Sequence, residues 1–194
     1  MKLSILIPTL NEPWNITMLK RLLNILTPQV ERFSDQVEIV LNDAPRSMTI
    51  GEKRNQMIAN SESEFFTFCD DDDFVSAYYV DSIMKALEHN PDVVTFNGWY
   101  VENTHTRKPF EIKLGHPYQD LPNKFLRWPN HITVMRRSCV QSVRFPAIKN
   151  GEDYLWSKEI RDRGLLKTSY HVDQDLYTYD FISHHLRHEP HNVR

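Results

Sequence analysis

Glycine and cysteine are scarce in this 194-residue chain, which has five of the first and two of the second. The glycines are scattered and compose neither GxGxxG nor GxxxxGK, which excludes the dinucleotide fingerprint and the P-loop. Cys69 and Cys139 belong to no CxxC pair, so a structural zinc site is excluded and a disulfide framework is not expected. No apolar run approaches the roughly 18 to 20 residues that cross a bilayer. The apolar start, Met1 to Pro8, is short and lacks a small-residue cleavage site after it, unlike a secretory signal. The acceptor-like Asn15-Ile16-Thr17 then carries no meaning. We therefore expect a soluble, cytoplasmic protein with no membrane insertion, and one domain over residues 1–194.

One sign of charge is missing where the other gathers. The formal net charge is −3, yet residues 104–149 hold nine Lys or Arg (Arg107, Lys108, Lys113, Lys124, Arg127, Arg136, Arg137, Arg144, Lys149) against Glu111 and Asp120. That segment is +7 and the remainder −10. Phe110, Tyr118, Phe125 and Trp128 are interleaved with the basic residues.

The acidic remainder is densest at Asp70-Asp71-Asp72-Asp73, directly after Phe65, Phe66, Phe68 and Cys69. An apolar run of that length suits a buried strand and is too short for a buried helix. The carboxyl end of such a strand opens into the ligand crevice of an α/β protein. Strand alternation predicts Asp70 and Asp72 on one side, Asp71 and Asp73 on the other. Adjacent carboxylates resist ionising together unless a cation joins them. An all-oxygen donor set suits Mg2+ or Mn2+. The alternative is a solvated loop in which Asp73 caps a helix beginning at Phe74-Val75-Ser76.

The order of elements predicts an α/β fold with a mostly parallel sheet flanked by helices. Leu3 to Ile7 reads as a strand, and Asn15 as the cap of a helix through Ile16, Leu19, Leu22, Leu23 and Leu26 that stops at Thr27-Pro28. A second strand, Val37 to Leu41, and a helix, Ile50 to Ala59, precede the central strand. A helix through Val80, Ile83, Met84 and Leu87 and a strand from Val93 to Phe96 follow it. Residues 101–130 carry four prolines and predict loops and short strands, a length of irregular chain that is usually functional. A strand at Ile132 to Met135, a helix opened by Gly151-Glu152-Asp153 and capped by Gly164, and one or two edge strands within Thr168 to Phe181 complete the expectation.

This series of motifs, from the first strand to about His185, resembles family 2 glycosyltransferases of the GT-A fold. The resemblance implies residues 1–100 as a nucleotide-sugar-binding half and 101–194 as the half carrying acceptor and base. It implies donor contacts at Pro8, Thr9, Asn11 and Glu12, at Asp43 beside the base or ribose, at Lys53-Arg54-Asn55, and at Asp70 and Asp71. Asp72 is the implied metal ligand, joined by His184 or His185, with Mn2+ or Mg2+ as cofactor. In Glu152-Asp153 the aspartate is the implied catalytic base of an inverting transfer, although its helix-start position also suits simple capping. Ala44-Pro45 departs from the glycine common in the family, and the processive polysaccharide synthases, with their membrane helices, are poor analogues.

The implied donor is a nucleotide-sugar, a UDP-sugar first, and the acceptor hydroxyl belongs to a glycan or to nucleic acid such as hydroxymethylated DNA. The basic segment would favour a polyanion, and Trp99, Arg127, Trp128 and Trp156 are acceptor-binding candidates, since aromatic faces stack on sugars and bases. Two other classes share these parts: a nucleotidyltransferase or metal phosphohydrolase, and a sugar-nucleotide-binding or polyanion-binding module without turnover.

Overall fold

The computed structural model describes residues 1–148 and 150–182. Its first strands are apolar on both faces because both are covered. In β3 (Phe65–Phe68) every residue is buried. Phe65 packs in one core with Leu22, Leu26, Val80 and Ile83. Phe66 and Phe68 point the other way, into a second core with Met57, Trp156 and Ile160. The period-2 alternation of a strand thus distributes one aromatic run between two helical layers.

β1 (Leu3–Pro8) pairs in parallel with β2 (Val37–Asn42) on one side and with β3 on the other. Next comes β9 (Val134–Arg136), antiparallel to β3 and to the start of β5 (Val93–Glu102). β10 (Ser169–Phe181) runs parallel to β5 along its whole length. β10 fills one edge of β5, so β9 and β6 (Thr106–Ile112) share the other.

The sheet is therefore mixed rather than mostly parallel. Two causes are visible. β5 turns back into β6 through Asn103 and Thr104, both at positive φ, so that Glu102 faces Thr106. A short hairpin can join only antiparallel strands. β9 arrives after the short strands β7 (Gln119–Asp120) and β8 (Phe125–Arg127), not through a helical crossover, and enters from the opposite end.

Three local expectations change. Helix α1 (Pro13–Glu31) starts with Pro13 in its first turn, where a missing N–H costs nothing, and Asn15 is not its cap. The helix also continues through Pro28. An interior proline costs ~3 kcal/mol, yet the last turn is anchored. Leu26 and Gln29 are buried, and the Gln29 amide donates to the Ser76 carbonyl (2.9 Å) while its oxygen accepts from the Val80 N–H (3.1 Å). Finally, Phe74–Val75 is a short strand, β4, paired with β10, and helix α3 (Tyr79–Leu87) begins later, so Asp73 caps nothing.

Helix α2 (Ile50–Asn60) opens on a capping box in which Thr49 and Glu52 satisfy each other's backbone N–H. A four-residue helix, α4 (Arg137–Val140), follows β9, and α5 (Glu152–Asp162) follows Gly151 in the left-handed region (φ 80°).

Candidate functional site

The four aspartates do not alternate, because the strand ends at Phe68 and a turn begins. The Asp73 N–H donates to the Asp70 carbonyl (3.2 Å), which closes the turn and fans the side chains in four directions. Asp70 accepts from the Arg54 guanidinium (2.8 Å) and lies 3.3 Å from His131 Nε2. Asp71 is buried and accepts from the Thr9 hydroxyl (2.5 Å) and the Asn15 amide (3.0 Å), the task that Asn15 performs instead of capping. Asp72 lines the cleft, and its backbone carbonyl accepts from Arg21. Asp73 is buried and accepts from the Tyr177 hydroxyl (2.5 Å) and the Asp180 N–H (2.8 Å), which fastens β10 to the turn.

These surroundings separate the acids electrostatically. Burial alone would raise the Asp70 pKa, but Arg54 and His131 hold it well below the ordinary carboxylate range. Burial, then Asp72 and Asp70, push the Asp73 carboxyl well above that range. Burial also raises Glu152, against the pull of Arg54.

Arg54 is the hub. Its side chain is 3% exposed, and it donates to Asp70 and to Glu152 (2.5 Å) while its plane sits near the Phe68 and Phe145 rings. Glu152 is thereby a buried partner of Arg54 rather than a group facing the cleft. Lys53 is also buried and donates to the Thr9 carbonyl (2.6 Å). Burial lowers its pKa, with Asp71 and Asp43 acting in opposition. A cleft of ≈ 580 Å3 opens here, and Pro8, Thr9, Lys53, Arg54 and Asp70 to Asp72 all line it.

Asp153 is half-exposed in the first turn of α5. Its Oδ2 lies 3.4 Å from Nδ1 of His131, the ring whose other nitrogen faces Asp70. One buried imidazole thus stands between the carboxylate at the cleft and the carboxylate on α5.

The glycosyl transferase family 2 profile matches residues 44–144, just over half of the chain. The chain belongs to that family. No curated protein matches the sequence. Among solved structures it is similar to TarS of S. aureus. The crystal structure of TarS 1-349 with UDP-GlcNAc gives a TM-score of 0.66 at 20% identity, covering 100% of this chain and 60% of that one. The structure of TarS 1-349 with UDP gives 0.65 at 19%, covering 93% and 61%. A third TarS structure gives 0.64 at 18%, covering 93% and 37%. The chain thus spans at most about three fifths of these relatives, and at this identity the likeness shows the shared GT-A fold.

The other residues that the family resemblance singled out lie in three settings. Glu12 grips Arg46 through two bonds (2.5 and 2.6 Å), and Arg46 in turn lines the cleft. Asn11 and Asp43 are exposed nearby in sequence but do not line it. Asn55 clips the Phe145 backbone in both directions (2.8 and 2.9 Å), a structural role. His184 and His185, with His188 and His191, lie outside the described residues.

For the residues that the resemblance assigned to the acceptor the corrections are larger. Trp156 is 1% exposed and stacked on Phe145 at 4.3 Å, so it is core. Trp99 bonds Asp175 (2.8 Å) under Arg107 and, by strand alternation, points away from the face that Tyr100 and Tyr179 share. Trp128 is buried but forms a cluster with Tyr118 (5.0 Å) and Tyr154 (5.6 Å), both partly exposed, and Tyr154 follows Asp153 directly. Arg127 covers the Tyr118 ring and pairs with Asp120.

The basic segment does not form one face. Arg136 and Arg137 bond Glu64 and Ser63 at the far end of β3, while Lys113 and Lys124 both pair with Glu111. Sequence reading missed His131 and Tyr177 and gave Asn15 a helix cap in place of its bond to Asp71. His131 and Tyr177 belong to no motif, and only Tyr177, an aromatic in an alternating strand, left any signal.

Proposed function

We propose that this glycosyltransferase moves a sugar from a UDP-sugar to the hydroxyl of a glycan with inversion, using Mn2+ or Mg2+. The observation that carries the proposal is the pair of acids flanking His131: Asp70 at the cleft and the half-exposed Asp153 beyond it. Residues 1–100 are read as the donor half and 101–194 as the half that supplies base and acceptor contacts. The donor identity draws support from TarS, whose crystal structures hold UDP-GlcNAc and UDP.

The fit of a divalent cation follows from the donor set. Asp72 lines the cleft beside Asp70 and Asp71, and the family resemblance gives it as the metal ligand. Among the described residues no group of three His, Cys, Asp or Glu side chains could hold a metal alone. One or two carboxylates plus substrate phosphates is the ordinary complement of Mg2+. When bound, such a cation supplies positive charge to the departing diphosphate.

The protein's own residues do the rest. Thr9, Asn15 and Lys53 fix Asp71 and the floor of the cleft, and Arg54 fixes Asp70. Asp153 takes the proton of the attacking hydroxyl, for which it must come within about 3 Å. The exposed parts of Tyr118 and Tyr154 suit the apolar face of a sugar ring beside it. A glycan is favoured over DNA because the basic residues are dispersed and largely paired.

The test is incubation with UDP-GlcNAc and other UDP-sugars plus Mn2+. A true donor at 100 times its dissociation constant should stabilise the fold by about 2.7 kcal/mol. Sugar should appear on an oligosaccharide acceptor with release of UDP. Transfer of a nucleotide, or release of phosphate without sugar transfer, would overturn the reading.

A further inference from the structure

His131 is 7% exposed and faces a carboxylate at each ring nitrogen. Nε2 lies 3.3 Å from Asp70 Oδ2, and Nδ1 lies 3.4 Å from Asp153 Oδ2. The second contact lacks hydrogen-bond geometry, and Nδ1 is buried with no hydrogen-bond partner among the described residues. An unsatisfied buried polar atom in a site of this kind calls for a reason.

The tautomer supplies one. Asp70 receives the Arg54 guanidinium on Oδ1, so its Oδ2, as part of a carboxylate, can only accept from His131. Nε2 then carries the hydrogen. In a neutral imidazole the lone pair is left on Nδ1, directed at Asp153. A lone pair opposite a carboxylate makes no bond, in agreement with the contact observed. The same lone pair opposite a carboxylic acid accepts one.

We propose that His131 is a positioning residue for the transfer: its Nδ1 accepts a hydrogen bond from Asp153 once Asp153 has taken the acceptor's proton. This rests on the reading of Asp153 as the base. The acceptor oxygen bonds the anomeric carbon as the bond from that carbon to the diphosphate oxygen breaks, and the electron pair leaves with the diphosphate. The acceptor O–H bond breaks and its proton moves to Asp153. The protonated Asp153 then donates to Nδ1, while the ring keeps its Nε2–H on Asp70 throughout. The resting contact makes no hydrogen bond and the contact after proton transfer makes one, so the bond to the ring forms only as the proton moves. Asp70 is held on its other oxygen by Arg54, and the ring is thereby fixed from the donor side.

A double-mutant cycle tests this: wild type, His131→Gln, Asp153→Asn and the double variant, each with kcat, donor KM and melting temperature. The Gln amide can still donate to Asp70, so this variant keeps the donor side and folds if the role is catalytic positioning. His131→Gln should lower kcat about tenfold or more with donor KM within about twofold, the pattern of an interaction made only in the transition state. The double variant should be no slower than Asp153→Asn alone, because residues that act as a unit are not additive. Unchanged kcat in His131→Gln, or losses that multiply in the double variant, would overturn the proposal. A Gln variant whose activity falls only in step with a lowered melting temperature would do the same. If Asp153→Asn itself turns over at the wild-type rate, the base reading falls and takes this inference with it.

Discussion

The acidic turn and the basic segment are both dense runs of one charge, and folding treats them oppositely. Asp70 to Asp73 occupy one turn at the end of β3, and three of them, Asp70, Asp71 and Asp72, line a single cleft. The basic residues are spread over β6, β8, β9 and α4, and the sheet carries Arg136 and Arg137 to its far end. Charge density in sequence becomes charge density in space only where the chain has no room to extend. At ~3.3 Å per residue, a strand of seven residues already separates its ends by about 20 Å. That is twice the Debye length at 0.1 M salt, so charges at the two ends do not act together on a ligand.

If the acidic turn is the converged site, Asp72, which lines the cleft, should have the greatest single effect on turnover. Asp72→Asn should reduce metal-dependent transfer to background, since an amide brings no charge to a cation that must offset the diphosphate. Titration of rate against Mn2+ checks it, and a wild-type rate and Mn2+ dependence would remove Asp72 from the site.

Asp153 belongs to the other half of the chain and is next in size. Asp153→Asn should cost ~10^2 to 10^4 in kcat, the usual contribution of a general base, with donor binding nearly intact. The decisive measurement is donor affinity beside single-turnover rate. A collapse of donor binding together with lost helicity would mean that Asp153 serves to cap α5.

Arg54 separates stability from chemistry. Asp70 and Glu152 are both buried against it, and removing one partner of a buried ion pair typically costs ~3–5 kcal/mol. Arg54→Met should therefore lower stability by about that much in urea unfolding, a far larger loss than for any exposed arginine such as Arg161. A loss below about 1 kcal/mol would show that the two acids neutralise or rehydrate without it.

What the sequence disclosed follows the same division. The two-sided apolar run of β3 and the strand–helix order are local patterns found where expected, with Asp72 in the turn after β3 and Asp153 in the first turn of α5. The role of Glu152 was not legible, because its partner Arg54 is 98 residues away. Nor was His131 legible: nothing near it in sequence announces that α5 and the acidic turn will meet at its ring. Trp99 and Trp156 show the limit of residue type as evidence, since alternation directs one to the far face and packing buries the other. Even Pro28, a strong local stop signal, was outweighed by the tertiary anchoring of Gln29.

The smallest expected effect concerns the basic segment, and it is informative because a large one was plausible. If those residues acted jointly on a polyanionic acceptor, each phosphate contact would add about −0.9 to the slope of log affinity against log salt for duplex DNA. Lys113 and Lys124 share Glu111, Arg127 is held by Asp120, and Arg107 and Lys108 lie over the Trp99 and Phe125 rings. Residues so occupied release few counterions on binding. Acceptor affinity should therefore change with a slope shallower than about −1, the equivalent of a single contact. Arg107→Gln or Lys108→Gln should each alter acceptor KM by no more than about threefold, as expected of exposed charges worth under 1 kcal/mol. Acceptor KM measured between 50 and 300 mM salt decides the matter. A slope of −3 or steeper, with a matching loss in the charge variants, would show that the dispersed residues do converge on a polyanion, and DNA would replace the glycan as acceptor.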